Sequence, residues 1–409
     1  MNQSQVDVVQ LQKRDPAAWT ALLRMDLEDD GVQVTAVTAE PIRISAKGHY
    51  RRHVSRYILT LDGYADPITL IGKLTNREET IFYQEMSAHL PDLPPRCLYT
   101  HLTDDHGWIV LEDAPDDYPA ATWTPNDTEA LVEQMASLHA FFWQRDDDLR
   151  QLGLPHFIEG KEYTWEELRR DQAIYFEQGP AAVLSQHAIH NAGRLAPTLL
   201  SAANGLTVIR NLGGWPGILS ESHIEAAISL LDDPVPMLEP LKRLPATLFH
   251  GNPHAHHWHL SLLGDFRLLD WHELRIGPGL LDLVSFMEQF DLLYESDNRS
   301  QILIRSERNV TDETMIDSYL LTMSARLGGD FDARAMRMAI PAARCLHVLS
   351  SWMPHFAGWF SDMPNKYTWQ KVNRMSDEQL AGTVFHSIIY FRPYLSGVFD
   401  RFLQAYKTL

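Results

Sequence analysis

The spacing of apolar residues changes its period once along this chain, close to Pro115. Before that point, over residues 32–111, apolar residues come in short β-forming runs. Residues 54–61 are one such run, Asp62-Gly63 is a turn signal, and residues 68–74 read as the next strand. The intervening residues 63–67 make a hairpin loop longer than a two-residue turn. Residues 78–90 read as a helix with Ile81, Phe82 and Met86 available to one face, and residues 108–111 as a short buried strand. After Pro115, Thr124-Pro125 supplies a cap and a proline at the first helical position. Leu131, Met135, Leu138 and Phe142 then recur at helical spacing, which predicts an amphipathic helix over residues 126–143. Helices dominate from there, broken by strand-like islands near residues 246–249 and 266–269. This order predicts an α+β chain with a β-rich part over residues 1–112 and a larger helical part over 113–409.

The formal net charge of -19 argues against a nucleic-acid backbone or an anionic membrane as partner, since either would be repelled on average. It leaves room for a locally basic pocket. Two cysteines, Cys97 and Cys345, allow one disulfide but no framework, which suits a cytoplasmic setting. Residues 1–15 are polar and carry no apolar h-region, so no secretory signal is expected. No apolar run approaches the roughly 20 residues that span a bilayer.

Several segments carry candidate chemistry. Lys73 sits in the apolar strand 69–74, where it can reach a ligand from the sheet or snorkel to water. Just after it, residues 77–83 open a helix that holds Glu79 near its start, where a first-turn glutamate is ordinarily favoured, with Glu85 farther along. Residues 45–49 hold one glycine and Lys47, with Arg51 and Arg52 beyond; this is a turn as readily as a phosphate-covering loop. Strand 108–111 ends in Glu112-Asp113, and His139 stands in a Leu-His-Ala helix segment. The densest stretch is His250-Gly251-Asn252-Pro253-His254-Ala255-His256-His257, followed by Leu268-Leu269-Asp270-Trp271-His272-Glu273 and by Gly277-Pro278-Gly279-Leu280-Leu281-Asp282-Leu283.

These segments, in this order, resemble those of the aminoglycoside phosphotransferase and choline kinase-like family. Its usual pattern there is His-Gly-Asp-x-His-x-x-Asn, then a strand ending in Asp-Trp-Glu or similar. The resemblance implies a bilobal protein-kinase-like fold, ATP and Mg²⁺ as cofactors, and a small-molecule acceptor. It implies that a glutamate of the helix pairs with Lys73 at the phosphates, Glu79 matching best and Glu85 being the fallback, and that the backbone beyond Glu112 meets an adenine. It also implies that Asp270 binds the metal, and that His139, His250, His254 and Asp282 are structural.

The chain departs from the pattern twice: Asn252 stands at the catalytic aspartate and His257 at the metal-binding asparagine. An amide accepts no proton in the useful range. Loss of a general base costs about 10²- to 10⁴-fold, which a loose phosphoryl-transfer transition state tolerates. Imidazole is a poor ligand for Mg²⁺ and a good one for zinc, copper or nickel. The histidines at 254, 256, 257, 259 and 272 match no standard zinc spacing, so no transition metal is expected, and His257 or His272 could instead serve acid–base chemistry.

Three functions follow: a phosphotransferase with an atypical loop, a kinase-fold enzyme redirected to cyclisation, rearrangement or elimination without ATP, or a non-catalytic pseudokinase. Trp352, Phe356, Trp359 and Phe360, with Trp165 and Tyr175, suggest an apolar or aromatic acceptor, although such side chains are more often core.

Overall fold

The computed structural model describes residues 7–43, 50–90, 92–103, 106–158, 198–294, 302–305, 307–360, 365–386 and 388–409. The chain divides into two compact units. The first comprises Met1–Gln134, His250–Leu274 and Leu292–Arg305; the second comprises Met135–Phe249, Arg275–Asp291 and Ser306–Leu409. The class is α+β, with an antiparallel sheet first and helices dominating after it.

The first unit is built on a five-stranded antiparallel sheet in the order β1-β2-β3-β5-β4. Its strands are β1 (Val34–Arg43), β2 (Tyr50–Leu61), β3 (Ile68–Asn76), β4 (Cys97–Leu102) and β5 (His106–Glu112). β3 lies between β2 and β5, with Lys73 opposite Val54 on one side and Ile109 on the other. Two helices not expected from the polar N-terminus, α1 (Val8–Gln12) and α2 (Pro16–Leu27), pack on this sheet. Asp15 caps α2 ahead of Pro16, and Trp19, Leu22 and Leu23 join Tyr57, Leu59, Leu70 and Trp108 in one core. Trp19 also donates its indole N–H to the carbonyl of Leu11 (3.0 Å), which ties the two helices together.

The segment after β3 begins as α3 (Arg77–Ile81), continues through a π-helical turn over Phe82–Met86 and ends in a 3-10 turn over Ser87–His89. Farther along come the hairpin strands β7 (Trp258–Leu260) and β8 (Phe266–Leu268), which pair Trp258 with Leu268.

In the second unit, the short strands β6 (Thr247–Phe249) and β9 (Arg275–Gly277) pair antiparallel. The helix Pro125–Phe141 carries His139 into this unit. That imidazole is wholly buried, with Nδ1 at 2.8 Å from the Tyr319 hydroxyl and Nε2 at 3.2 Å from Asp282 Oδ2. The carbonyl of His139 accepts from Thr247 Oγ1 (2.7 Å), so Asp282, His139 and β6 form one braced chain.

Phe356 and Phe360 pack with Trp215, Trp369 and Phe399 in a buried aromatic cluster. They are core, so their aromatic character does not report an acceptor. Trp165 and Tyr175 lie outside the described residues, as does the side chain of Trp359. Both cysteines are free thiols, and burial raises each to a pKa of about 12. Among the described residues no helix is long and apolar enough to cross a membrane.

His347, at the end of the helix Ile340–His347, is buried, and burial together with the nearby charges of Arg401 and His355 lowers its pKa to about 4. A histidine held neutral in the fold stabilises fully above its unfolded pKa and loses that contribution as pH falls toward the folded value. Stability should therefore decline between about pH 6.5 and pH 4, by on the order of 3 kcal/mol from this residue. His347→Leu should flatten that part of the profile of denaturation midpoint against pH. An unchanged acid slope in the variant would assign the loss elsewhere.

Candidate active site

Lys73, Glu79, Glu112, Asn252, His257, Asp270 and His272 all belong to the first unit. The alternation of a strand puts Lys73 and Thr75 on one face of β3, and both are buried. Asn76 ends the strand and caps α3 by accepting the Glu79 N–H (3.1 Å). The cap sets the first turn so that the Glu79 side chain returns to the strand face. Glu79 has no exposed surface. Its carboxylate meets Lys73 Nζ at 2.9 and 2.7 Å, accepts from the Thr75 hydroxyl, and accepts the Trp271 N–H at 3.1 Å. Glu85 is exposed on the π-helical turn, so it is not the partner of the lysine.

The β7–β8 hairpin brings the other half of the site together. Leu269 N–H donates to the carbonyl of His257 (2.8 Å), extending the Trp258–Leu268 register by one pair. This sets His257 beside Asp270. Asp270 takes left-handed backbone angles, φ 68° and ψ 58°, unusual for a residue with a side chain and typical of functional positions. Its Oδ1 is the partner of Lys73 Nζ and lies 3.0 Å from His272 Nδ1; its Oδ2 lies 3.5 Å from His257 Nε2. Asn76 Nδ2 donates to the carbonyl of His272 (2.7 Å), so the residue that caps α3 also anchors this turn. Trp271 is wholly buried and stacks on Phe82 with ring centroids 4.0 Å apart.

The loop 250–257 is held through its main chain. His250 Nε2 donates to the carbonyl of Leu269 (2.9 Å), leaving Nδ1 to accept the Asn252 N–H (3.2 Å). The Asn252 carbonyl accepts both the His254 N–H and His257 Nδ1–H, each at 2.8 Å. Gly251 has φ +88°, and a β-carbon there would sit 2.2 Å from the carbonyl oxygen of Glu273, so no side chain fits. His254 and His256 face each other through their Nδ1 atoms at 2.5 Å. His259 donates to the carbonyl of Ala114 (2.9 Å) and is also structural.

The electrostatics follow from these contacts. Burial works against the Lys73 ammonium, but Glu79 and Asp270 outweigh it and raise its pKa. Burial would raise Asp270, yet the His272 hydrogen bond and the Lys73 charge carry it well below the usual carboxylate range. His272, hydrogen-bonded to Asp270 and Glu273, is raised to about 9 and is therefore an imidazolium at neutral pH. Burial lowers His257 to about 4, so that ring is neutral.

Beyond β5, Glu112 Oε1 accepts from Arg267 Nε (3.2 Å) and Asp113 forms a two-pronged pair with Arg56. Residues 44–49, with Lys47 among them, lie outside the described residues, as do the side chains of Arg51 and Arg52. Thr75 and Asn76 were not expected at the site. The signals for them were the period-2 partner of Lys73 and the Asn-x-x-Glu start of a helix.

No family model matches the sequence, and no curated protein matches it significantly. Among solved structures, the chain is similar to a choline kinase from Cryptosporidium parvum Iowa II at 11% identity. That match covers 91% of this chain and 89% of that one, with a TM-score of 0.44. A Plasmodium vivax ethanolamine kinase matches at 9% identity over 83% and 82% of the two chains, TM-score 0.43. An aminoglycoside-3'-phosphotransferase of type VIII matches at 15% identity over 79% and 96%, TM-score 0.35. What this site can do is set by its own side chains.

Lys73→Met should leave the Glu79 carboxylate buried with its charge uncompensated, at a cost of about 3–5 kcal/mol in equilibrium unfolding. Adding Glu79→Gln to that variant should recover part of the loss. A single variant within about 1 kcal/mol of wild type would show that Glu79 is stabilised without the lysine.

Proposed function

We propose that this chain is a phosphotransferase-like protein of small-molecule metabolism that binds a nucleotide phosphate at Lys73 and lacks the base of an efficient kinase. The observation that supports this reading is the Lys73 ammonium held jointly by Glu79 and Asp270. Phosphoryl transfer asks a protein chiefly for positioned charge. ATP would supply the phosphoryl group and a divalent cation would neutralise its developing charge. Lys73 would meet phosphate oxygens, Glu79 would keep the lysine extended along the strand face, and Asp270 would carry the cation. The donors fit Mg²⁺ only in part: the Asp270 carboxylate suits it and the neutral His257 imidazole does not.

Asn252 offers an acceptor hydroxyl a hydrogen bond but takes no proton. Conventional ATP-dependent transfer is accordingly slow in this reading, by the factor that a base supplies. A second reading is supported by His272, an imidazolium with a side chain 32% exposed beside Asp270. That group could donate a proton to a small metabolite in an ATP-independent rearrangement or elimination.

Melting temperatures measured with ATP, with Mg²⁺ and with both separate these readings. Nucleotide binding should stabilise by about 2.7 kcal/mol at a hundredfold excess over Kd. Lys73→Ala, compared with its own unliganded melting temperature, should lose the shift. No shift under any condition sinks the nucleotide reading and favours the ATP-independent one. A shift without turnover of any hydroxyl acceptor points to a pseudokinase.

Asn252→Asp should raise phosphoryl transfer to a hydroxyl acceptor by about 10²- to 10⁴-fold. Coupled ADP release across an acceptor panel measures this, and no gain with any acceptor would show that the missing base is not what limits the site.

A further inference from the structure

Glu85 takes no part in the Lys73 pair, yet it helps to line a second place where a small molecule can sit. A cavity of about 340 Å³ lies between the π-helical turn Phe82–Met86 and strand β4. Tyr83, Gln84 and Glu85 form one wall, and Cys97, Tyr99 and Thr100 form the other. All six belong to the first unit, and none of them is a residue of the Lys73–Asp270 site. The volume lies at the lower end of the range for small-molecule sites, about 300–1,000 Å³.

Both walls are irregular where they line the cavity. The helix begun by Arg77–Ile81 widens into a π-turn over the first wall, a distortion frequent at functional sites. In β4 the pairing slips: Cys97 faces Leu111 and Tyr99 faces Val110, so Leu98 is an extra residue. Bulges re-aim side chains, and this one lets Cys97 and Thr100 line one space although they are three residues apart. The Lys73–Glu79 pair uses neither wall.

The chemistry of the lining selects its guest. Tyr83 is buried, and its hydroxyl has no hydrogen-bond partner among the described residues. Buried polar groups are ordinarily paired, so a guest that reaches this hydroxyl supplies the partner that the fold leaves out. Gln84 and Thr100 add an amide and a hydroxyl, each able to donate and to accept. Glu85 is the one carboxylate of the lining, it is exposed, and none of the other five side chains is cationic. Tyr83 and Cys97 stay neutral, because burial raises both. The lining therefore favours a cation that also makes hydrogen bonds, and it opposes an anion.

We infer that the π-helical turn and β4 form a second ligand site, for a small hydroxylated organic ammonium, with the ammonium on Glu85 and a hydroxyl toward Tyr83. The inference goes beyond the proposed function and stands whether or not a nucleotide binds at Lys73.

The test is a ligand-observed NMR titration of the full chain, without nucleotide, using three probes of like size: protonated 3-aminopropane-1,2-diol, glycerol and glycerate. The ammonium should bind saturably, glycerol more weakly and glycerate not at all. Glu85→Gln should weaken the ammonium about tenfold, the worth of a hydrogen bond to a charged group. Tyr83→Phe, which removes only a hydroxyl, should weaken it about threefold, the worth of a neutral hydrogen bond. Glu225→Gln, at an exposed helical position of the other unit, should change nothing, which separates this site from the general pull of an acidic chain. The inference is overturned if no probe binds saturably, if glycerate binds as well as the ammonium, if Glu85→Gln or Tyr83→Phe binds like wild type, or if Glu225→Gln weakens binding as much as Glu85→Gln.

Discussion

A carboxylate with no exposed surface is tolerated only when its charge and its lone pairs are met inside the protein, and Glu79 is such a group. Lys73 supplies the charge, while the Thr75 hydroxyl and the Trp271 N–H supply further donors. Those partners come from β3 and from the turn after β8, so satisfying Glu79 aligns one with the other. Lys73 then reaches Asp270 because the same alignment places it there. Asn76 reinforces the arrangement from outside, with one side-chain oxygen on α3 and one side-chain nitrogen on the His272 carbonyl. The candidate site is thus a by-product of solving the burial of one acid, and its charges are pre-placed before any ligand arrives.

What could be read from the sequence follows the range of each interaction. β2, β3 and the helix Pro125–Phe141 were legible because their apolar periods run long enough to be distinctive. Glu79 could be chosen over Glu85 because residues 77–83 resemble a family segment in which the glutamate stands four residues before Tyr83. The strands β6 to β9 are each three residues long, too short to carry a period, and only two of them were anticipated as islands. Helix α2 has its signal in Asp15-Pro16 and the spacing of Trp19, Leu22 and Leu23, but it is short and follows a polar stretch that masks it. The left-handed backbone at Asp270 and the tautomer of His257 had no local signature. The tautomer is set by the Asn252 carbonyl, five residues earlier in the same loop.

The aromatic segment 345–363 could be read either as an acceptor site or as core. Its composition suggested an apolar acceptor, but Phe356 and Phe360 are spent on Trp215, Trp369 and Phe399. Aromatic side chains contribute so much buried area that a helical unit of this size consumes them as core. Polar groups placed against the hydrophobic trend, such as Lys73 and Glu79, are what meet at the candidate site.

The loop 250–257 also explains how fold and chemistry can part company. Asn252 is tied through its amide N–H to His250 and through its carbonyl to His254 and His257. None of these bonds uses its side chain, so a change from acid to amide at this position leaves the loop's shape intact. His257 is different, because its ring is at once a strut on the Asn252 carbonyl and a neighbour of Asp270. A residue that both holds the loop and faces the acid cannot change without altering what Asp270 meets. The two departures from the expected pattern are therefore unequal: the one at 252 subtracts a proton acceptor, whereas the one at 257 rewrites the surroundings of the carboxylate on which any cation would depend.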